Sequence, residues 1–350
     1  MTLSVKFYSV RNRMNKKILV VGAGFSGVTV ARILAESGFN VDVIDKRDHV
    51  AGNAYDYIDP HGFRIHKYGP HLFHTNNEIV VEWLSRFTEW VPYKHKVKAL
   101  LKDGTFVVLP PNRSTQAVLG DKLIEVLFRP YSRKMWGLEL EEIDSSIIKR
   151  IPIRNDDNEY YFPNDKFQAL PEGGYTALVE KILDHKNINY YLRTPFSEKF
   201  QAGYKHIFNS MPIDEYYDNC YGELPYRSIK FTNIHFPAST LFPRATINFT
   251  HNGPHTRVTE WRHLPGHGSS DFITALTYEE PCDYKDNGYE RYYPVKDVLG
   301  SNRVLYKKYR ELVPDNVTFI GRCGQYVYLD MHQAIASSMA TVKSFLKKVS

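Results

Sequence analysis

Three glycines at Gly22, Gly24 and Gly27, with Phe25 and Ser26 between the last two, follow the apolar run Lys17-Ile18-Leu19-Val20-Val21, and an acid, Asp45, stands 18 positions beyond the last glycine. Each residue type has a use in holding a dinucleotide. Glycine at 22 permits a tight turn, glycine at 24 lets the backbone approach a pyrophosphate, and glycine at 27 lets a helix pack on the preceding strand. The N–H groups that open such a helix, and the positive end of its dipole, suit phosphate oxygens. Asp45 would accept hydrogen bonds from ribose hydroxyls. The elements that must position these groups are legible too. Val28, Ala31, Ile33 and Leu34 form a helical stripe that stops at Gly38, and Val41-Asp42-Val43-Ile44 reads as a second buried strand. A complete strand, turn, helix, strand and acid is far more specific than an isolated glycine motif.

The segment after the acid favours FAD over NAD. Lys46 to Asn53 forms a second turn containing Gly52, of the kind that flavoproteins of the glutathione-reductase and amine-oxidase type carry after the ribose acid. Far downstream, Asn316 to Ile320 is an apolar run ending in Gly321-Arg322, then Asp330 and a helix expected from Met331 to about Lys347. In two-part flavin folds a late strand returns to the first domain, and the helix behind it meets the flavin end of the cofactor. Lys46, Gly52, Asn53, Arg322, Asp330 and Met331 therefore join the expected cofactor residues. Between these ends, Gly173-Gly174 introduces a helix with Leu178, Val179, Ile182 and Leu183, and strands are expected at 188–192 and near 206–209. The FAD domain is thus discontinuous. Ala51 stands where such turns usually begin with glycine, and is expected to be tolerated at negative φ.

Composition excludes several classes. With 43% hydrophobic and 24% charged residues the chain can build a large core, and no run nears the length of a membrane span. A net charge of +6, spread along 350 residues, suits an anionic small ligand better than nucleic acid. Three scattered cysteines, Cys220, Cys282 and Cys323, support neither a disulfide framework nor a zinc site, and a reducing cytoplasm is expected. The first seventeen residues are basic and lack the apolar stretch of a secretory signal.

Six motifs in order then make the chain similar to the prokaryotic-type UDP-galactopyranose mutases. They are Ile65 to Thr75 (IHKYGPHLFHT); Lys134-Met135-Trp136-Gly137 with Ile147 to Arg154; Tyr226-Arg227-Ser228; Thr256 to Glu260; Tyr292-Tyr293-Pro294-Val295; and Gly321 to Met331. The resemblance runs from about residue 16 to the C-terminus. It implies a non-redox isomerase that converts UDP-galactopyranose to UDP-galactofuranose through a sugar adduct at N5 of reduced FAD, primed by NAD(P)H or another reductant. It implies galactofuranose destined for surface polysaccharide.

The same resemblance implies roles for residues. Arg150, beside a loop that closes over substrate in the family, and Arg257 would bind the diphosphate, a task that suits the fixed fork and permanent charge of a guanidinium. Arg227 is a further substrate-side candidate. Tyr293, Tyr326 and Tyr328 would reach phosphate or sugar by their hydroxyls, with core packing as the less favoured alternative. Tyr131 and Trp136 would flank sugar and uracil, and Tyr161 the uridine. His71 and His74 would lie near the flavin, where a buried core histidine is the even alternative.

The chain also departs from the family pattern. Only 23 residues separate Asn112 from Trp136, so the helical subdomain must be trimmed. His95 stands where a uridine-site Asn is usual, and Leu127 or Phe128 where a base-stacking Phe is usual. Base choice and subunit contacts cannot simply be carried over, and a homodimer stays open. The expected architecture is α/β: a discontinuous Rossmann-like FAD-binding domain (16–75, 170–225 and 301–350), a small helical and substrate segment (76–150), a sheet segment (151–169) and an antiparallel sheet domain (226–300). The partner is a nucleotide sugar, with no nucleic acid, no membrane insertion and no metal. The alternatives are the same ring contraction on UDP-N-acetylgalactosamine or dTDP-fucose, an amine-oxidase-like FAD oxidoreductase, and a non-catalytic nucleotide-sugar or flavin-binding module.

Overall fold

The computed structural model describes residues 17–142, 152–268 and 270–349. Lys17–Val21 and Asn40–Ile44 pair in parallel, joined by the helix Phe25–Glu36. Ile188–Tyr191 adds to one side, His206–Asn209 and Val317–Phe319 to the other, giving a five-stranded parallel sheet drawn from three distant parts of the chain. The near-continuous apolar character of its central strands has a physical cause: both faces are covered. Ile18 and Val20 face a core shared with Phe25–Glu36 and the last helix, Met331–Val349, which contributes Ile335, Val342 and Phe345. Leu19 and Val21 face a second core with Ile207, Phe319 and Tyr309, the last from the helix Ser301–Glu311.

The second sheet has seven strands in the order Tyr293–Pro294, Tyr226–Phe236, Thr274–Asp283, Arg257–Glu260, Thr246–Phe249, Val97–Leu100, Phe106–Leu109. It is antiparallel except where Thr246–Phe249 runs parallel to Val97–Leu100. Its last two strands come from well upstream of residue 226, as a hairpin turned at Gly104, where φ is 90°. Four-residue strands carry too little alternation to be read with certainty from sequence.

Between the hairpin and the site lies the short helical segment. Asn112 caps Arg113–Leu119 by accepting the Thr115 N–H at 3.1 Å. A 3-10 turn, a π-helical stretch at Ile124–Phe128 and the helix Arg129–Trp136 follow, and Gly137 at φ 67° ends the run. Leu127 and Leu123 are buried against the hairpin, in a core with Val97, Ala99, Leu101, Val107 and Leu109.

Ala51 corrects one expectation, because its φ is +70° and not negative. It opens the 3-10 turn Gly52–Ala54, donating its N–H to the Ala23 carbonyl (3.0 Å) and accepting from Ala54 N–H (3.0 Å). The second turn thereby presses on the first, so close that a Cβ on Gly52 would lie 2.9 Å from Gly24 Cα. Ala51→Gly is expected to be near neutral, because relief of about 1 kcal/mol of left-handed strain offsets about 0.8 kcal/mol of lost methyl burial. Ala51→Val, a branched side chain at positive φ, is expected to cost about 3 kcal/mol in a urea-unfolding comparison of the two variants.

Candidate active site

The turn after Lys17–Val21 lines a deep cleft. Gly22, Gly24, Phe25, Ser26, Gly27, Asp45, Lys46, Asn53, Arg322, Met331 and His71 all reach its wall. The glycines behave as their spacing requires: Gly22 has φ +101°, and a Cβ on Gly27 would sit 1.9 Å from the Gly22 carbonyl oxygen. Asp45 Oδ2 accepts the Ala23 N–H at 2.7 Å and Oδ1 the Arg47 N–H at 2.9 Å, which sets the carboxylate between the two turns with lone pairs to spare. Gly52 stands behind Gly24 instead of on the wall. Asp330 caps the last helix: its N–H donates to Gln333 Oε1 at 2.9 Å, as in a capping box. Two helices therefore open toward one cleft, and the close contact of Gly24 with Gly52 leaves it a backbone wall without side chains. Such a wall fits a dinucleotide pyrophosphate. Sequence reading missed the middle of the wall, including Thr194, Phe196, Ser210, Met211 and Arg291.

A second group adjoins the cleft. Arg257 stands directly across from Glu279 on the neighbouring strand, with Nε 2.7 Å from Glu279 Oε2. Burial disfavours the Arg257 charge, but Glu279, Tyr131 and Tyr293 beside it more than offset this and hold the guanidinium protonated. Glu279 is fully buried, and burial raises its pKa against the pull of Arg257. Tyr293 stacks on Tyr328 with centroids 5.7 Å apart, and Trp136 meets Tyr293 edge-on at 6.3 Å. Burial pushes the Tyr293 hydroxyl up to about 12, so at neutral pH it is a donor without charge. Arg322 lies over both tyrosine rings, 5.2 Å and 4.7 Å from their centroids, and donates to the Leu329 and Tyr292 carbonyls at 2.6 Å and 3.1 Å. It touches the cleft and the tyrosine group at once. Glu279 is an acid that sequence alone did not single out; only strand register reveals it as the partner of Arg257.

His71 lies at the same seam. Its Nδ1 is 2.8 Å from the Gly69 carbonyl, which can only accept, so Nδ1 carries the proton. Burial, with Arg322 and Arg257 nearby, lowers its pKa to about 4. His74 is held by Asp165, 2.5 Å from Nδ1, and stacks on Phe162 at 3.5 Å. Tyr161 sits beside His95, with ring centroids 5.9 Å apart.

Two expected substrate residues are placed differently. The Tyr326 hydroxyl is turned to the Pro225 and Val295 carbonyls, at 2.8 Å and 2.9 Å, inside the second core. Arg227 donates to the Met135 and Lys134 carbonyls at 2.8 Å and 3.2 Å, clamping the end of the helix that bears Tyr131 and Trp136. Lys134 strengthens that clamp through the Phe249, His251 and His255 carbonyls, at 2.7–3.1 Å. Arg150 lies outside the described residues, as do the basic residues before Lys17. His95 is buried with Nδ1 3.0 Å from the Tyr93 hydroxyl.

Buried neutral imidazoles make stability depend on pH. Burial lowers His95 to about 3 and His267 to about 4, whereas the unfolded chain binds their protons near 6.5. Between those values the unfolded state holds more protons, so stability is lost as pH falls below about 6.5, by up to roughly 1.4 kcal/mol per pH unit for each ring. Urea midpoints from pH 7.5 to 5 are expected to fall accordingly, with a shallower slope in His95→Gln.

A family model described as UDP-galactopyranose mutase matches residues 126–328, and one for an NAD(P)-binding Rossmann-like domain matches residues 20–87. A Klebsiella pneumoniae protein described as "Probable UDP-galactopyranose mutase" is 36% identical over 96% of either chain. The chain belongs to the UDP-galactopyranose mutase family. It is also similar to an Escherichia coli protein described as dTDP-fucopyranose mutase, 33% identical over 95% of this chain and 98% of its own. The fold matches a crystal structure of a reduced UDP-galactopyranose mutase with a TM-score of 0.75 at 15% identity, over 95% of this chain and 94% of that one. The Klebsiella alignment runs over 375 positions against 350 residues here, so that relative carries residues this family member lacks. Among the described residues no helix is long and apolar enough to cross a membrane.

Proposed function

We propose that the protein binds FAD in the glycine-walled cleft and, with the flavin reduced, interconverts UDP-galactopyranose and UDP-galactofuranose. The observation that carries this reading is the seam at Arg322 and His71, where a dinucleotide cleft opens onto an arginine and tyrosine group suited to a diphosphate. When bound and reduced, FAD supplies an electron-rich nitrogen able to displace a leaving group from a sugar carbon. Everything else falls to the chain. Gly22, Gly24 and Gly27, with the first helix, hold the cofactor pyrophosphate; Asp45 takes the ribose; Arg322 and the helix at Met331 flank the far end.

Arg257, joined by Arg150, holds the substrate diphosphate before and after it departs, so that the same group stays in place to return. Tyr293 and Tyr328 donate to phosphate or sugar without adding charge. Tyr131 and Trp136 offer flat faces to sugar and base. Glu279 aims Arg257. The reading includes a nucleotide sugar as partner, a cytoplasmic location, where NAD(P)H or a similar reductant primes the flavin, and a homodimer to be checked by light scattering.

Nucleotide sugars incubated with oxidised and with reduced holoenzyme decide the matter. Furanose is expected only from the reduced form, without consumption of reductant in proportion to product. Proportional uptake of oxygen or NAD(P)H, or no furanose from any donor, would sink the reading. The similarity to a dTDP-fucopyranose mutase supports one second reading, the same reaction on dTDP-fucose, and furanose yield from a donor panel separates the two.

A further inference from the structure

Behind the seam a line of imidazoles plays no part in the reading above. His267 Nδ1 is 2.9 Å from the Pro265 carbonyl, His267 Nε2 is 2.9 Å from His66 Nε2, and His66 Nδ1 accepts the His71 backbone N–H at 3.0 Å. Only one arrangement of protons satisfies every contact. A carbonyl cannot donate, so the proton of His267 lies on Nδ1 and its Nε2 is a bare lone pair. His66 must then donate from Nε2, which leaves its Nδ1 free to accept from His71. Adding a proton to His267 would put two N–H groups head-on at that 2.9 Å contact, and adding one to His66 would do the same at the 3.0 Å contact with the His71 N–H.

The surroundings favour the neutral chain. His66 is 1% and His267 4% exposed. Trp261 stacks on His267 at 5.9 Å, and Tyr175 meets His66 edge-on at 5.5 Å. The charged groups facing the pair are Arg64 and Asp56, themselves 3.3 Å apart. The three rings also come from separate places: His66 ends the strand Arg64–His66, His267 lies on the loop after the 3-10 turn Trp261–His263, and His71 closes the turn through Gly69. That turn is tightly seated, since a Cβ on Gly69 would lie 2.9 Å from Phe231 and 3.2 Å from Glu279 Oε1.

We propose that His66 and His267 are positioning residues: their ordered, neutral imidazole chain grips the His71 backbone and so fixes the His71 ring, with Nδ1 as donor to Gly69 and Nε2 as acceptor, where cofactor cleft and substrate group meet. The inference rests on the mutase reading for its kinetic consequence but not for its geometry. Asparagine at 66 can keep an acceptor at the Nδ1 position, whereas leucine cannot.

Two measurements test it. In two-bond proton–nitrogen spectra of [15N]histidine-labelled holoenzyme at pH 7, His66 is expected as the Nε2–H tautomer and His267 and His71 as Nδ1–H; a charged ring, or His66 as Nδ1–H, overturns the chain. In kinetics, His66→Leu is expected to lower kcat about tenfold or more with KM changed less than about threefold, and His66→Asn to recover most of that loss, as a misplaced group would. Equal losses in both variants, or none in His66→Leu, overturn the positioning role. Native holoenzyme without mutase activity would overturn the proposed function instead, and the tautomer spectra would still decide the chain.

Discussion

Arg257→Ala is expected to leave the yellow flavin complex intact and to lower kcat/KM about 10²–10³-fold, the usual consequence of removing one preorganised partner of a developing or departing anion. The separation of effects follows from position. Arg257 lies on the second sheet, opposite Glu279, while the glycine wall belongs to the first sheet, so cofactor retention and turnover answer to different residues. The variant carries a second consequence that a simple ligand role would not. Glu279 is about 1% exposed, and with Arg257 gone its carboxylate has lost the cation that compensates its burial. Stranding one member of such a pair costs about 3 kcal/mol or more. Arg257→Ala is therefore expected to unfold earlier in urea as well as to lose turnover. Adding Glu279→Gln to the same chain is expected to restore most of the stability and none of the activity. Recovery of turnover in the double variant, or near-normal rate in the single one, would remove Arg257 from the diphosphate site.

The two halves of the site differ in how far sequence could reveal them, and the difference is one of range. The glycine wall, its helix and Asp45 form within about thirty residues, where hydrophobic period and residue type act locally. The substrate side gathers Tyr131, Arg257, Glu279, Tyr293 and Tyr328 from three strands, a helix and a late turn. No local period connects them, and only the likeness to the mutases pointed there. Glu279 stayed hidden because its meaning depends on register. Tyr326 and Tyr328 look like a matched pair two residues apart, but a φ of 49° at Tyr326 breaks the alternation and turns its ring into the core. Arg227 likewise reads as a cation free for phosphate until the carbonyls at the end of Arg129–Trp136 are seen to occupy it. Ala51 shows the same limit at the backbone level: its residue type suggested the wrong sign of φ because two turns had to touch.

Gly27→Ala is expected to remove the cofactor itself. The added Cβ would lie 1.9 Å from the Gly22 carbonyl oxygen and 3.1 Å from Val20 Cγ1. The first obstacle is backbone, in the turn that must stay tight for the pyrophosphate, so no side-chain rotation can relieve it. The helix Phe25–Glu36 would have to lift from the strand, and its opening N–H groups would move with it. Gly22 cannot absorb the shift, because it already sits at φ +101° with the Ser210 hydroxyl filling the place where a Cβ would stand. The variant is expected to purify without flavin colour and to lose about 3 kcal/mol of stability, in the range of overpacked cores. Saturating FAD is expected to recover little, since ligand binding can offset a distortion only in proportion to its remaining affinity. Gly38→Ala, at a positive φ in open space, is the control for backbone strain alone: it should cost about 1 kcal/mol and keep full flavin content. Flavin bound stoichiometrically to Gly27→Ala would mean that the close approach of helix to strand is not what shapes the cleft.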